Sequence, residues 1–527
     1  MLIDPTGFGL LSNDALRYAN QEIDLNALGI PDPSQIKDID FIKSKSLDTD
    51  SRNDLVSVLL EQYSFLDTQK EVDKQVFNQI QSLQSPNTYT VTTGQQIHIF
   101  LGPTYVPHKI MSAVYKAKEF SKIHCNLKFV PVFWMATEDH DFEEIRTVRL
   151  WNQEFVWDAD FDGGAVGNMP CKSIALMVDT MLERFRLSSE QLEILLVFKQ
   201  IYSHSDTLAN ATRKLVHHFF GKYGVVVIDP NHPKLKAHFA PIVKKELQEG
   251  ATQKGIEKQN KKLKELDLPR TIPARNTSLF VFNNPQRERL DKIDEGFLFH
   301  TSNTSVSTDE LMQLPTDKFS PNVALRPLYQ ELILPNVAYI AGASELFYWM
   351  QLPEVFNNFR VSYPLLLLRQ HGVYLNQKTL ANWERQGYSL PSLLYSPDTF
   401  YSFFESALLD RPELNALIQS YDSLSKKWSD YAFKLDKQSV KKVKNEMKQL
   451  RNFLLRHFDE LKGKELEQQK AQLNKLLKIR NEVFPNQVFQ ERIFSFLELV
   501  LNSKGALPKE FYEGEYNDSQ LWLHMME

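Results

Sequence analysis

The chain has 527 residues, 42% hydrophobic and 24% charged, a composition that excludes global disorder and a small stapled module and suits about three domains or one large core with insertions. Its 61 Lys+Arg against 66 Asp+Glu leave a net charge of −5, without the basic excess of a nucleic-acid binder. Cys125 and Cys171 stand outside any Cys-x-x-Cys pair, which excludes a disulfide framework and fits a reducing cytoplasm.

The N-terminal Met1-Leu2-Ile3-Asp4-Pro5 lacks the basic start and apolar stretch of a secretion signal. The densest apolar runs, 225–228 and 364–368, fall far short of the ~20 residues that span a bilayer. A soluble, cytoplasmic protein is expected, with no membrane or nucleic-acid partner.

In chain order, residues 1–85 read as an N-terminal helical cover, with one helix over 54–83 carrying Leu55, Leu59, Gln62 and Leu66 on one apolar stripe. Tyr89-Thr-Val-Thr-Thr-Gly94 then predicts a strand, followed by a loop and a helix over 107–120. Lys128-Phe-Val-Pro-Val-Phe-Trp134 predicts a second strand ending in an acidic loop, and Gly224-Val-Val-Val-Ile-Asp-Pro230 a third. Asn336-Val-Ala-Tyr-Ile-Ala-Gly342 and the run at 363–368 resume the pattern. Strands alternating with helices give an α/β fold with a parallel sheet. The core is expected over 86–395, with inserts near 145–220 and 235–320, which exceed ordinary βα links. Within the second insert, a lysine-rich helix over 254–266 reads as a solvated face because Glu257 and Glu265 interleave with its lysines.

Beyond Pro412, Leu424, Trp428, Tyr431 and Leu435, then Val440, Val443, Met447, Leu450 and Leu454, recur at heptad steps whose phase breaks across 436–439. This predicts a helical hairpin or bent pair in a coiled-coil domain over 396–485, its seam packed within the chain or against a second subunit. Pro485 ends it, and 486–527 is expected to pack back on the core.

Three segments carry candidate chemistry. The first, Thr92-Thr-Gly-Gln-Gln-Ile-His-Ile-Phe-Leu-Gly-Pro-Thr-Tyr-Val-Pro-His-Lys109, joins a strand end to a helix start, where open α/β sheets bind anionic ligands. Gly94 and Gly102 permit close backbone approach, and His108 with Lys109 can neutralise phosphate; two turn glycines among surface polar residues are the plainer account. The second, Thr137-Glu-Asp-His-Asp-Phe-Glu-Glu144, sets carboxylates and His140 beside a buried strand. They can hold an ammonium, serve as a general base or bind nucleotide-borne Mg²⁺; an acidic helix start explains them too. No metal-ligand pair at structural-zinc spacing accompanies them. The third places Asn322 and Arg326 one helical turn apart and Glu345 after the glycine of Ala341-Gly-Ala-Ser-Glu345, while Tyr348 and Trp349 read as core. His217 and His218 read as capping or packing residues, and the two cysteines as buried or incidental thiols.

Thr93-Gly-Gln-Gln96, Gly102-Pro-Thr-Tyr105, His108-Lys109, Pro131-Val-Phe-Trp134, Glu138-Asp-His-Asp-Phe-Glu-Glu144, Ser320-Pro-Asn-Val323, Arg326-Pro327 and Gln490-Glu-Arg492, taken in this order, resemble the bacillithiol-biosynthesis cysteine-adding enzyme family, the cysteine ligases. The resemblance implies a Rossmann-like core similar to class I nucleotidylyltransferases, connecting inserts and a coiled coil that makes a homodimer. It also implies amide formation between cysteine and the amine of glucosaminyl-malate, with ATP and Mg²⁺ as the expected activating pair. On that footing His108, Lys109, Asp139, His140 and Asp141 are the catalytic candidates. Thr93, Gly94, Gln95, Gln96, Gly102, Tyr105, Glu138, Asn322, Arg326, Gly342 and Glu345 are the substrate- or nucleotide-binding candidates. The His-Ile-Gly-His and Lys-Met-Ser-Lys-Ser motifs of class I synthetases are absent, and the block before Glu345 has fewer glycines than family members often carry. A ligase or transferase for another amine or amino acid, and a non-catalytic dimeric adaptor, are the competing expectations.

Overall fold

Five apolar runs pair into one parallel sheet: β1 (Thr88–Gln95), β2 (Lys128–Met135), β3 (Val226–Ile228), β4 (Asn336–Ala341) and β5 (Leu365–Leu368). This is a computed structural model, and it describes residues 2–3, 7–283, 285–409, 412–468, 470–505, 507 and 521–526. The strand order is β5-β4-β1-β2-β3, the arrangement of a doubly wound α/β sheet whose order reverses between β1 and β4. The strands are buried on both faces, which is why β2, β3 and β5 read as near-continuous apolar runs instead of alternating ones, while β1 is rich in threonine. The buried hydroxyls of β1 are satisfied across that junction. Thr90 and Thr92 meet Asn336 Oδ1 at 3.2 and 2.8 Å, and Thr93 Oγ1 donates to the Ile340 carbonyl at 2.9 Å. Helix α1 (Tyr105–Ile123) connects β1 to β2, and α2 (Ala343–Met350) follows β4.

The single helix expected over 54–83 is two, Thr49–Gln62 and Glu71–Ser82. The break has a cause: Tyr63 is buried, and its hydroxyl accepts the Val227 N–H at 2.8 Å, while the Gln62 amide brackets the Asp229 backbone at 2.7 and 3.0 Å. The chain turns there to bind the β3 end, so Gln62 belongs to no apolar stripe.

The first insert holds a hairpin, Thr147–Leu150 with Gln153–Val156, and three helices. The second adds helices and an antiparallel sheet of Leu279–Asn283, Gln286–Ile293, Gly296–Phe299, Ser305–Val306 and Phe319–Pro321, which sequence analysis did not anticipate. The lysine-rich helix is Ala251–Glu265, and its face is not merely solvated: Lys258 and Lys262 hold buried Glu354 at 2.7 and 2.6 Å.

The described residues divide into two units, one within 2–3, 11–374 and 491–526, the other within 7–10 and 375–490. The second is helical, its longest helices being Pro412–Phe433 and Lys437–Gln468. The chain reverses at the expected phase break, where Asp436 Oδ1 accepts the Ser439 N–H at 2.7 Å. Tyr421 donates to the Met447 carbonyl, and Arg451 Nε meets Asp422 Oδ1 at 3.2 Å, so the two helices form a hairpin. The heptad residues Leu424, Trp428, Tyr431 and Leu435 are nonetheless exposed.

Candidate active site

The sheet's order reversal lies between β1 and β4, and charged side chains meet at the C-terminal ends of these strands. Lys109, in the first turns of α1, points its Nζ to the Gly94 carbonyl, to Gln95 Oε1 at 3.1 Å and to Glu345 Oε2 at 2.6 Å. Glu345 is fixed from three directions: its Oε2 also accepts the Gly342 N–H at 2.8 Å, and its Oε1 accepts the Tyr339 hydroxyl at 2.9 Å. Gln95 Nε2 reaches the Tyr105 hydroxyl at 3.0 Å. Burial pulls the Lys109 ammonium below its usual pKa against the pull of Glu345. For Glu345 burial acts upward, but Lys109 and the Gly342 N–H outweigh it and hold the carboxyl below the usual range.

Arg326 opens the helix Arg326–Ile333, its guanidinium 3.3 Å from the Tyr348 hydroxyl and 3.1 Å from Gln330 Oε1, beside the ring of Tyr339 at 5.4 Å. Trp349 stacks on Tyr339 at 4.3 Å and is core, as expected. Asn322 does not share a helical face with Arg326. The helix begins only at Arg326, and Asn322 Oδ1 builds the preceding turn by accepting the Ala324 and Leu325 N–H groups at 2.9 and 3.2 Å.

The acidic loop after β2 sorts its carboxylates by environment. Glu138 turns inward onto Lys236, whose Nζ also meets the Phe319 carbonyl at 2.6 Å. Asp141 caps Phe142–Ile145 by accepting the Glu144 N–H at 3.2 Å, and Glu143 pairs with Arg146 at 3.0 Å. Asp139 and Glu144 remain, bridged by one amide: Gln96 Nε2 donates to Asp139 Oδ2 at 2.7 Å and to Glu144 Oε2 at 2.8 Å. Burial raises the Glu144 carboxyl against that hydrogen bond, and nearby Asp141 and Asp139 add to the rise. Arg287, from the second insert, donates to His140 Nδ1 at 2.9 Å and lies 3.8 Å from Asp139 Oδ1. A guanidinium can only donate, so His140 Nδ1 is an acceptor and the ring is neutral. Burial and Arg287 together lower its pKa.

His108 does not join its neighbour Lys109. Successive helical residues diverge by ~100°, and the His108 ring is buried 3.3 Å from the Tyr374 hydroxyl and beside the His524 ring at 5.7 Å. Burial holds its pKa well below the usual imidazole value. Gly102 has φ +68, and a Cβ there would lie 2.8 Å from His98 Cβ, so this turn requires glycine. Thr93 spends its hydroxyl inside the sheet.

Sequence reasoning gave no role to Arg369, His371 and Glu491. Arg369 grips Glu491 with two nitrogens at 3.0 and 2.7 Å, and His371 Nδ1 meets the same carboxylate at 3.0 Å, all three buried. The partners are separated by 122 and 120 residues, so no local pattern marks the pairing, although Glu491 lies in the Gln490-Glu-Arg492 block. Among the described residues, no group of three or more His, Cys, Asp or Glu is placed to hold a metal ion, and no helix is long and apolar enough to cross a membrane.

The arrangement offers two neighbouring functions. Consecutive Gln95 and Gln96 reach a buried cation–carboxylate pair on one side and a partly solvated pair of carboxylates on the other. The first positions polar or anionic groups; the second suits an ammonium and its proton.

Residues 25–370 match the family model described as bacillithiol biosynthesis BshC, N-terminal Rossmann-like domain. Proteins named "Putative cysteine ligase BshC" align along most of the chain. The one from Flavobacterium psychrophilum is 33% identical over 86% of this chain and 85% of its own length. That of Christiangramia forsetii is 34% identical over 87% and 86%, and that of Bacillus mycoides 26% over 90% and 87%.

Proposed function

The chain belongs to the BshC family of bacillithiol biosynthesis, and on that premise we propose that it is the ligase joining the carboxylate of L-cysteine to the amine of glucosaminyl-malate as an amide. The observation that carries the reading is the Gln95–Gln96 junction, which ties the Lys109–Glu345 pair to the Asp139–Glu144 pair within one strand end. An ammonium and a carboxylate do not condense unaided at neutral pH, so the carboxylate is first activated by ATP. A cysteine carboxylate oxygen attacks a nucleotide phosphorus: attack at the α-phosphorus expels pyrophosphate and leaves an acyl adenylate, and attack at the γ-phosphorus expels ADP and leaves an acyl phosphate, so AMP or phosphate departs in the step that follows. The amine nitrogen then attacks the activated carbonyl carbon, the bond to the phosphoryl oxygen breaks, and the surplus proton leaves with a base. Asp139 and Glu144 hold the ammonium and take that proton; Lys109 and Arg326 offset charge on the acyl-activating side. Mg²⁺ would arrive with the nucleotide, held chiefly by its phosphates.

Mass spectrometry of the purified protein with cysteine and glucosaminyl-malate, with and without ATP and Mg²⁺, tests this. An amide-linked thiol formed only with ATP supports the ligase; no product under any condition removes it. The protein is further proposed to act as a homodimer in which a second copy covers Leu424, Trp428 and Tyr431, a reading supported by their exposure on the helical hairpin.

A further inference from the structure

Arg369 presents one donor that nothing in its surroundings uses. Its two terminal nitrogens are engaged by Glu491, and one of them also by the Gln370 carbonyl at 3.0 Å. The side chain is 6% exposed, yet Nε has no hydrogen-bond partner among the described residues. A buried, charge-assisted donor left unmade is costly, so a position like this suits a ligand atom.

The guanidinium is held in place by Glu491, and the residue that carries it is anchored by its backbone. The Arg369 N–H donates to the Ala341 carbonyl at 2.8 Å, placing the residue beside the end of β4. A Cβ built on Gly342 would lie 3.5 Å from Arg369 Nε and 3.4 Å from Glu345 Oε2, ordinary contact distances. The missing side chain of Gly342 therefore leaves a methyl-sized space beside Nε, at the switch point where Lys109 and Glu345 meet. Gly342 itself has φ −73 and ψ 164, which any residue adopts, so its backbone conformation does not demand glycine.

We propose that Arg369 Nε and the open face of Gly342 form a carboxylate-binding subsite, which rests on the ligase reading above and names a recognition residue for it. Lys109 and Arg369 are each already matched by one carboxylate, Glu345 and Glu491. The subsite thus supplies a directed N–H without surplus positive charge, which fits a singly charged carboxylate better than a polyphosphate. Both substrates of the proposed reaction carry carboxylates, and the experiment distinguishes them.

Calorimetric titration of wild type and Gly342→Ala uses two matched pairs of probes: L-cysteine with cysteamine, and glucosaminyl-malate with methyl glucosaminide. Alanine fits the backbone and fills the space, so the fold is retained while the affinity for one carboxylate-bearing probe falls about tenfold or more. Its carboxylate-free counterpart is unaffected, and the pair that responds identifies the source. Arg369→Lys, which keeps a cation facing Glu491 but removes Nε, gives the same selective loss. Carboxylate affinities unchanged in both variants, or no binding of either carboxylate probe to wild type, overturn the subsite. The ligase reading fails separately, when carboxylate binding and its loss are both seen but mass spectrometry finds no amide product.

Discussion

Lys109 Nζ lies 2.6 Å from Glu345 Oε2, though the two residues are 236 apart in sequence and follow different strands of the sheet. Lys109 is almost wholly buried, so the pair is a link between β1 and β4 as much as a chemical group. Removing one partner strands a buried charge: Glu345→Gln is expected to lower unfolding free energy by about 3 kcal/mol in urea titration. The double variant Lys109→Met/Glu345→Gln recovers most of that stability and none of the turnover. Equal activity in the double variant would show the pair to be structural only.

Asp139 and Asp141 stand two positions apart with different tasks. Asp139→Asn is expected to reduce kcat about 100-fold, in the range of lost acid–base catalysis. Asp141→Asn, which still caps its helix, leaves activity near wild type and costs a few tenths of a kcal/mol. Steady-state kinetics on the two purified variants reads the contrast directly.

Gly102→Ala places a side chain on a positive-φ backbone and against His98. A loss of about 1–3 kcal/mol in stability is expected. Because the turn carries the chain into α1, KM for the substrates should also rise. Thermal melting beside kinetics checks both.

Stability should fall with pH because of Glu331. It is buried, accepts hydrogen bonds from Asn336 and Gln330 at 2.8 Å each, and burial pushes its carboxyl from 4.5 up to about 8. Between those values the folded chain keeps a proton that the unfolded chain has lost, so unfolding free energy declines as pH rises. Burial lowers nearby Lys45 to about 8, and its opposite slope begins only above that pH. Urea titrations between about pH 5.5 and 8 should therefore show a decline in wild type that Glu331→Gln flattens.

Trp428→Glu and Tyr431→Glu put charge on exposed apolar positions of the helical hairpin. Sedimentation should show a dimeric wild type and monomeric variants with unchanged helicity. A wild type that is monomeric at micromolar concentration would exclude this face as a dimer seam.

The parallel sheet was legible because doubly buried strands need uninterrupted apolar runs, as in Lys128–Met135, and each such run sits beside a helical pattern. Gln96 and Asp139 were legible as polar residues at strand ends, where a sheet cannot use them. The separation of His108 from Lys109 was not, since sequence adjacency hides the turn of the helix between them. Nor was the antiparallel sheet of the second insert, whose short strands carry charges: Arg287 sits at the start of its strand, and its side chain reaches Ser320, Pro321 and His140. Arg369 lacked any local sign, and Glu491 was marked only as part of the Gln490-Glu-Arg492 block, because the pairing that explains each is with the other. The same holds for Lys236, whose buried ammonium reads as one more surface lysine until Glu138 is placed against it.

The grip of Arg369 on Glu491 also sets an order of events during synthesis. All five strands of the sheet have been synthesised by Leu368, but the counter-ion for the guanidinium that follows is encoded more than a hundred residues later. Until that stretch is made, Arg369 must stay hydrated and the end of β5 cannot close dry. A nascent chain halted within the helical hairpin would hold a complete sheet with an unsealed edge, and the native interior would form only once the C-terminal return segment arrives.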